Sequence, residues 1–201
     1  MRVEEDITAL ADSGFTPVSL RLATAFGFSP RLRSDLPVNH MVATAALDGR
    51  VVLAGAADTC GPSIHVRDVA DAVLRCLEAP RETVHGASFN VGSHEDTVTE
   101  AALARMIVEA VPGTSIGLVR HSGSASEPRR VDSGEIRRAV GFEARHGLAD
   151  GIAELLHAYT SASAGVSADE FLATFSRTQH QGTPAATSGF GTAHHIERVA
   201  S

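Results

Sequence analysis

The sequence predicts an α/β fold built on parallel strands, and three observations carry that prediction. A helical pattern at the amino end passes after a short loop into a strand over residues 17–22. That strand is apolar at most positions, as expected where helices cover both faces of a sheet. Helix and strand signals then alternate through most of the chain. Residues 18–30, VSLRLATAFGFSP, sit at the centre of this reading. A β-prone run ends there abruptly in a turn, and in open α/β sheets ligands bind outside such strand ends.

Each element has its own signal. Val3, Ile7, Leu10 and Ala11 recur at helical spacing, and Ser13-Gly14 closes that helix. The pattern starts at the first residue without a cap, which suggests a chain cut from something longer. Residues 35–47 predict the next helix, with Leu36, Val42 and Ala46 inward and Gly49 ending it. Val51-Val52-Leu53 is a short strand and residues 54–62 a loop. Residues 63–66 are extended and lead into a helix over 67–77, with Val69, Val73, Leu74 and Leu77 on one face and Pro80 as its stop. Residues 87–92 read as a strand ending in glycine.

Thr97-Val98-Thr99-Glu100 has capping-box spacing and opens a helix to residue 110, with Leu103, Met106 and Ile107 inward. Pro112-Gly113 ends it, residues 115–119 form a strand, and residues 121–127 a polar loop. Asp132-x-x-Glu135 starts another helix, with Ile136 and Val140 inward and Gly141 at its carboxyl end. Leu148, Ile152, Leu155, Leu156 and Tyr159 mark a last amphipathic helix. From Ser161 the composition turns to Ser, Ala, Thr and Gly, with one short helical candidate at 168–175. The chain therefore divides into a folded region, 1–160, and a flexible low-complexity tail, 161–201.

Composition narrows the function. A chain of 201 residues can bury a sizeable core, and 43% apolar residues fit a soluble globular protein. Seventeen Lys and Arg against 24 Asp and Glu leave a net charge of −7, which argues against nucleic acid and anionic membranes as partners. Cys60 and Cys76 form no CxxC and no metal spacing, so a cytoplasmic setting is expected. No apolar run reaches the length of a membrane span, and MRVEEDITAL does not read as a signal peptide.

No G-x-G-x-x-G, HExxH, GxSxG or Cys/His metal cluster occurs. His65, at the end of an apolar strand, is either a core histidine with one hydrogen bond or a catalytic group. Arg129-Arg130 either hold a phosphate with paired donors or form a solvated basic turn. Asn39 offers an amide to the strand-end loop, and His194-His195 lie in the tail. Spacing alone gives an α/β unit with a crevice near residues 23–39 and no assembled catalytic set.

The order of motifs adds a family. LRLATAFGFSP, then Leu36-Pro37-Val38-Asn39, SIHVRDVADAVL, FNVG and RRVD–EIRRAVGFEARHGLADGI resemble the carboxy-terminal half of the NAD-dependent epimerase/dehydratase family. These are extended short-chain dehydrogenases/reductases, many acting on nucleotide sugars, and the resemblance covers residues 2–160. It implies the carboxy-terminal part of a Rossmann-like fold, with a substrate-binding subdomain and an incomplete parallel sheet. It implies NAD as the cofactor of intact relatives, with Thr24, Ala25 and Phe26 beside the nicotinamide. It puts the substrate-side asparagine at Asn39, the family's F-I-H-V-x-D histidine at His65, and a basic substrate contact at Arg130. Arg2 falls at the position of the family's catalytic lysine, and the tyrosine position precedes Met1. Gly61 stands where the family often has a diphosphate-binding arginine.

The resemblance thus implies a truncated epimerase/dehydratase-like protein that supplies the sugar-nucleotide-binding half and is not catalytic alone. Intact relatives would oxidise a sugar hydroxyl and epimerise or dehydrate the ketone. The alternative is a non-catalytic partner module, forming a homodimer or complementing a separate Rossmann half, since an uncovered strand edge favours association. A gene fragment without an independent role is the third reading.

Overall fold

The structure, a computed structural model, describes residues 2–30, 32–33, 35–53, 61–93, 98–118 and 130–162. These form helices α1 (Arg2–Ala9), α2 (Pro37–Asp48), α3 (Val66–Glu78), α4 (Arg81–Val84), α5 (Glu100–Ala110), α6 (Gly134–Val140) and α7 (Leu148–Ala162). The strands are β1 (Ser19–Leu22), β2 (Thr24–Phe26), β3 (Arg50–Leu53), β4 (Ser63–His65), β5 (Ser88–Val91) and β6 (Ser115–Leu118). The chain divides into two compact units, each drawn from three stretches. One comprises Met1–Ala25, Gly61–Thr97 and Arg129–Leu148; the other comprises Phe26–Cys60, Val98–Pro128 and Ala149–Ser201.

In the first unit β1 pairs in parallel with β5, Ser19 opposite Ser88 through Leu22 opposite Val91. A second two-stranded sheet joins β2 and β4. The core gathers Phe89 and Val91 of β5, Ile64 of β4, Ala72 and Cys76 of α3, Ile136 of α6, and Phe142. Where residues 17–22 predicted a strand apolar on both faces, Arg21 and Leu22 are exposed. Among the described residues β1 has one hydrogen-bonded neighbour, so its second edge is unpaired.

Two helices of this unit depart from their predicted faces. The α1 helix ends at Ala9, before Ser13-Gly14. Asp12 accounts for that: its carboxylate accepts the N–H groups of Gly14 and Phe15, both at 2.7 Å, and this local turn competes with further helix. Arg81 locks the turn by donating to the Asp12 and Ser13 carbonyls and to the Thr16 hydroxyl. Of the apolar residues at helical spacing, Val3 and Leu10 are 67% and 66% exposed. What ties α1 to the sheet is the fork between Arg21 and Glu4, with bonds of 2.8 and 2.7 Å.

In α3 the buried residues are Asp68, Ala72 and Cys76, at i, i+4 and i+8. Of the predicted face, Val69 packs partly against the core, whereas Val73, Leu74 and Leu77 point outward. The cap at His65 and the bonds at Asp68 fix the rotation of the helix, and small Ala72 lets it approach the core closely. Pro80 does not only stop α3; it precedes the unpredicted turn of α4.

In the second unit β3 pairs in parallel with β6, Arg50 opposite Ser115 through Leu53 opposite Leu118. The α2 helix packs on β3 and α5, and Val42, Val51, Leu103 and Ile107 are fully buried. It begins at Pro37, a favoured first helical residue, rather than at residue 35. It ends where expected, at Gly49, whose φ of 64° is left-handed and whose N–H reaches the Ala45 and Thr44 carbonyls. The cap of α5 is Thr99, its hydroxyl accepting the Ala102 N–H at 3.0 Å; Thr97 of the predicted box lies outside the described residues. In α7, Ile152, Leu155 and Tyr159 are buried as the periodicity predicts.

Cys60, the loop at 121–127, Arg129, the helical candidate at 168–175, His194-His195 and the tail from 163 lie outside the described residues. Among the described residues no helix is long and apolar enough to cross a membrane.

Candidate functional site

The β2 strand ends at Phe26, and Gly27 turns the chain with a φ of 103° that favours glycine. Asn39, in the first turn of α2, braces that turn. Its Oδ1 accepts the Gly27 N–H at 3.0 Å, and its Nδ2 donates to the Arg33 carbonyl at 2.9 Å. Its own carbonyl accepts the Tyr159 hydroxyl at 3.2 Å. Asn39 is 2% exposed and Tyr159 is fully buried. Burial pushes the Tyr159 phenol well above its usual range. The asparagine therefore sits at the strand end, as the sequence suggests, but its amide is already engaged with backbone on both sides.

The other residues implied by the resemblance take different positions. Thr24 and Ala25 are half-buried, and the Thr24 N–H donates to the Pro62 carbonyl at 3.0 Å. Phe26 is 1% exposed, so its ring lies in the core. Arg2 opens α1, and its side chain lies outside the described residues. Toward a cofactor, Thr24 has a single hydroxyl to offer and Phe26 a buried ring, and the sequence carries no G-x-G-x-x-G to cradle a diphosphate.

His65 ends β4 and caps α3, its Nδ1 accepting the Arg67 N–H at 3.2 Å. It is 1% exposed and stacks on His146, with ring centroids 5.0 Å apart and planes at 28°. Asp68, one turn into α3, holds His146 from the other side. Its Oδ2 accepts the N–H groups of Arg145 and His146, both at 3.0 Å, and its Oδ1 pairs with His146 Nδ1 at 2.7 Å. The sequence reading did not single out His146 or Asp68. The available signal was an acidic residue in the first turn of a helix, followed far along the chain by an isolated histidine.

His146 lines a crevice of about 390 Å³ at the carboxyl end of β5. Gly92 and Ser93 line one side, Asp132, Ser133 and Gly134 another, and Arg145–Gly147 a third. Ser133 Oγ joins two walls by accepting the Gly92 N–H and donating to the Gly92 carbonyl, each at 2.9 Å. A Cβ at Gly92 would lie 3.0 Å from Val131 Cβ and 3.2 Å from Ala23 Cβ, so glycine permits this close approach. Arg137 in the lining is paired with Glu143 at 2.9 Å. Arg130, exposed, leads into the crevice. Among the described residues no group of three or more His, Cys, Asp or Glu is arranged to hold a metal.

Comparison with known proteins gives a partial family match and a fold. The model of the NAD dependent epimerase/dehydratase family matches residues 2–92. Among solved structures, RMD from Pseudomonas aeruginosa complexed with NADPH superposes with a TM-score of 0.66 at 17% identity, covering 79% of this chain and 53% of that one. UDP-glucuronic acid 4-epimerase from Bacillus cereus, in complex with UDP-glucuronic acid and NAD, gives 0.61 at 15% identity, over 72% and 45%. dTDP-glucose 4,6-dehydratase from Bacillus anthracis, in complex with NAD, gives 0.58 at 17%, over 71% and 44%. The chain spans about half the length of these structures. Residues 2–92 are thus similar to the NAD-dependent epimerase/dehydratase family, and the fold is the Rossmann-like one of these structures, matched over about half their length.

Proposed function

We propose that this chain supplies the sugar-nucleotide-binding half of an epimerase/dehydratase-like fold, and that alone it binds a nucleotide sugar without turning it over. The observation that carries the reading is the braced turn after β2, Gly27 held by Asn39, inside the segment matched by the family. Two of the similar structures are an epimerase and a dehydratase of nucleotide sugars with NAD bound, which supports the substrate class. The glycine-rich fingerprint is absent from the 201 residues, and the one tyrosine, Tyr159, is spent on the Asn39 carbonyl. Hydride transfer needs a positioned cofactor and an acid/base tyrosine, so turnover by this chain alone is not expected. Isothermal titration with UDP-glucose and with NAD, beside assays on UDP- and dTDP-sugars, tests the reading. Heat from the nucleotide sugar and none from NAD is expected; micromolar NAD binding or any epimerisation overturns it.

A second reading has its own observation. The unpaired edge of β1 lies in a unit that also exposes Leu22 at 47%, Val73 at 42% and Leu77 at 77%. A groove of about 580 Å³, lined by Val18, Leu20, Val73, Cys76 and Leu77, runs beside them. Unpaired strand edges and apolar patches favour association, which fits a partner module completed by a second copy or by a separate Rossmann half. Sedimentation equilibrium decides: a concentration-dependent dimer supports it, and a soluble monomer that unfolds cooperatively removes it.

A further inference from the structure

We propose that the crevice at the end of β5 is a binding site for a phosphomonoester, with His146 as its proton acceptor and Arg145 as its charge. The proposal does not depend on the nucleotide-sugar reading.

The argument starts at Asp68. An ionised carboxylate only accepts hydrogen bonds, so a neutral His146 facing it at 2.7 Å carries its proton on Nδ1. Its Nε2 is then left with a lone pair. Asp68 is itself 3% exposed at the side chain and steadied by two backbone N–H groups. It already holds the 145–146 backbone through those groups, and its additional bond to Nδ1 fixes the imidazole in one orientation. One face of that ring is covered by His65, whose Nδ1 is committed to the cap of α3. The 35% of the His146 side chain that stays exposed therefore belongs to the remaining face and to the edge away from Asp68, where Nε2 lies. His146 lines the crevice, so that edge is open to a ligand.

The rest of the lining selects the ligand. Asp132 Oδ1 is engaged by the Gly134 N–H, and Arg137 by Glu143. The guanidinium of Arg145 makes no hydrogen bond or ion pair among the described residues. Beside the lining carboxylates of Asp132 and Glu143, the crevice thus offers one fixed imidazole acceptor, His146, and one uncommitted cation, Arg145. The complementary ligand is an anion that still carries a proton to donate, and a phosphate monoester monoanion or free monohydrogen phosphate meets both requirements. The diphosphate of a nucleotide sugar is an esterified anion with no P–O–H to give. A neutral hydroxyl has no use for the arginine.

Long-range ¹H–¹⁵N spectra of the histidine side chains test this in the whole chain, titrated with inorganic phosphate, glucose 1-phosphate and UDP-glucose in turn. The spectra are expected to show His146 as the Nδ1–H tautomer before ligand is added. Its Nε2 resonance should then move to saturation with inorganic phosphate or glucose 1-phosphate and stay in place with UDP-glucose. Equal affinity for the first two identifies the phosphate group as sufficient, and tighter glucose 1-phosphate binding identifies a sugar phosphate; both support the site. His146→Ala and Arg145→Gln each remove a hydrogen bond to a charged group and should weaken binding by about tenfold or more. Both keep the Asp68 bonds to backbone, so an unchanged circular dichroism spectrum is expected. An Nε2 resonance that phosphate does not move, or a His146→Ala chain that binds phosphate as well as the unaltered one, overturns the proposal. Failure of the nucleotide-sugar reading shows separately, as absent UDP-glucose heat with the phosphate response intact.

Discussion

At the scale of single residues, the side chains that matter most are buried polar groups with every bond directed at backbone. Asn39 holds Gly27 and Arg33 together, and replacing it with alanine leaves a buried N–H and a carbonyl without partners. Asn39→Ala should lower stability by about 2–4 kcal/mol in urea unfolding, the cost of orphaning two such groups. Tyr159 gives a second test because it is the only tyrosine and there is no tryptophan. Its folded-state pKa is raised by burial above the ordinary value of 10.0. A group raised in this way contributes stability below its unfolded pKa and loses it as the pH climbs past that value. The chain should therefore unfold as the pH rises beyond 10.0, with near-ultraviolet tyrosinate absorbance appearing only as structure is lost, and Tyr159→Phe should remove that alkaline sensitivity. The position of Asn39 beside the turn after β2 was legible, since an Asn just after a helix-starting proline is a local signal. The Asp68–His146 bond was not, because its partners stand 78 residues apart and only the fold brings them together.

At the scale of elements, the helix ends were easier to read than the helix faces. Gly49 and Gly141 terminate α2 and α6 with left-handed backbone, as their sequence positions foretell. The outward stripe of α3 shows the limit: periodicity reveals that Val73 and Leu77 recur along the helix, but not whether anything covers them. Leu77→Glu should leave stability within about 0.5 kcal/mol, as for an ordinary surface change, and on the association reading it should also lower the dimer fraction in sedimentation runs. Ala72→Leu, at a fully buried position of the same helix, should cost about 1–3 kcal/mol by overpacking. The α1 helix carries a pH dependence of its own. Its Glu4 is held below the ordinary 4.5 first by the hydrogen bond from Arg21. A carboxylate lowered in this way stabilises above its unfolded pKa and releases that contribution as the pH falls through the folded value. Amide exchange in α1 should therefore quicken in acid before exchange in β1 and β5 does, and Glu4→Gln should quicken it at neutral pH as well.

At the scale of the whole molecule, the parallel α/β character was legible from the alternation of signals, and the assembly was not. Nothing local in a sequence says that Ser19 lies opposite Ser88 or Arg50 opposite Ser115. The net charge of −7 and a pI of about 5.8 bear on the association reading, since self-repulsion fades as net charge vanishes. If the β1 edge pairs with a second copy, the dimer fraction should rise as the pH is brought down toward 5.8 and fall again at neutral pH, followed by sedimentation. The interleaved make-up of the two units carries one more consequence. During synthesis the ribosome releases β1 long before β5, and the first unit lacks its last stretch, 129–148, until most of the chain has emerged. The second unit waits longer still, for α7. Non-local parallel pairing is intrinsically slow, and unfinished strands with open edges are prone to aggregate. Most of these residues must therefore be made before either unit can close, and proteolysis of stalled chains should show protection only once residue 148 has emerged.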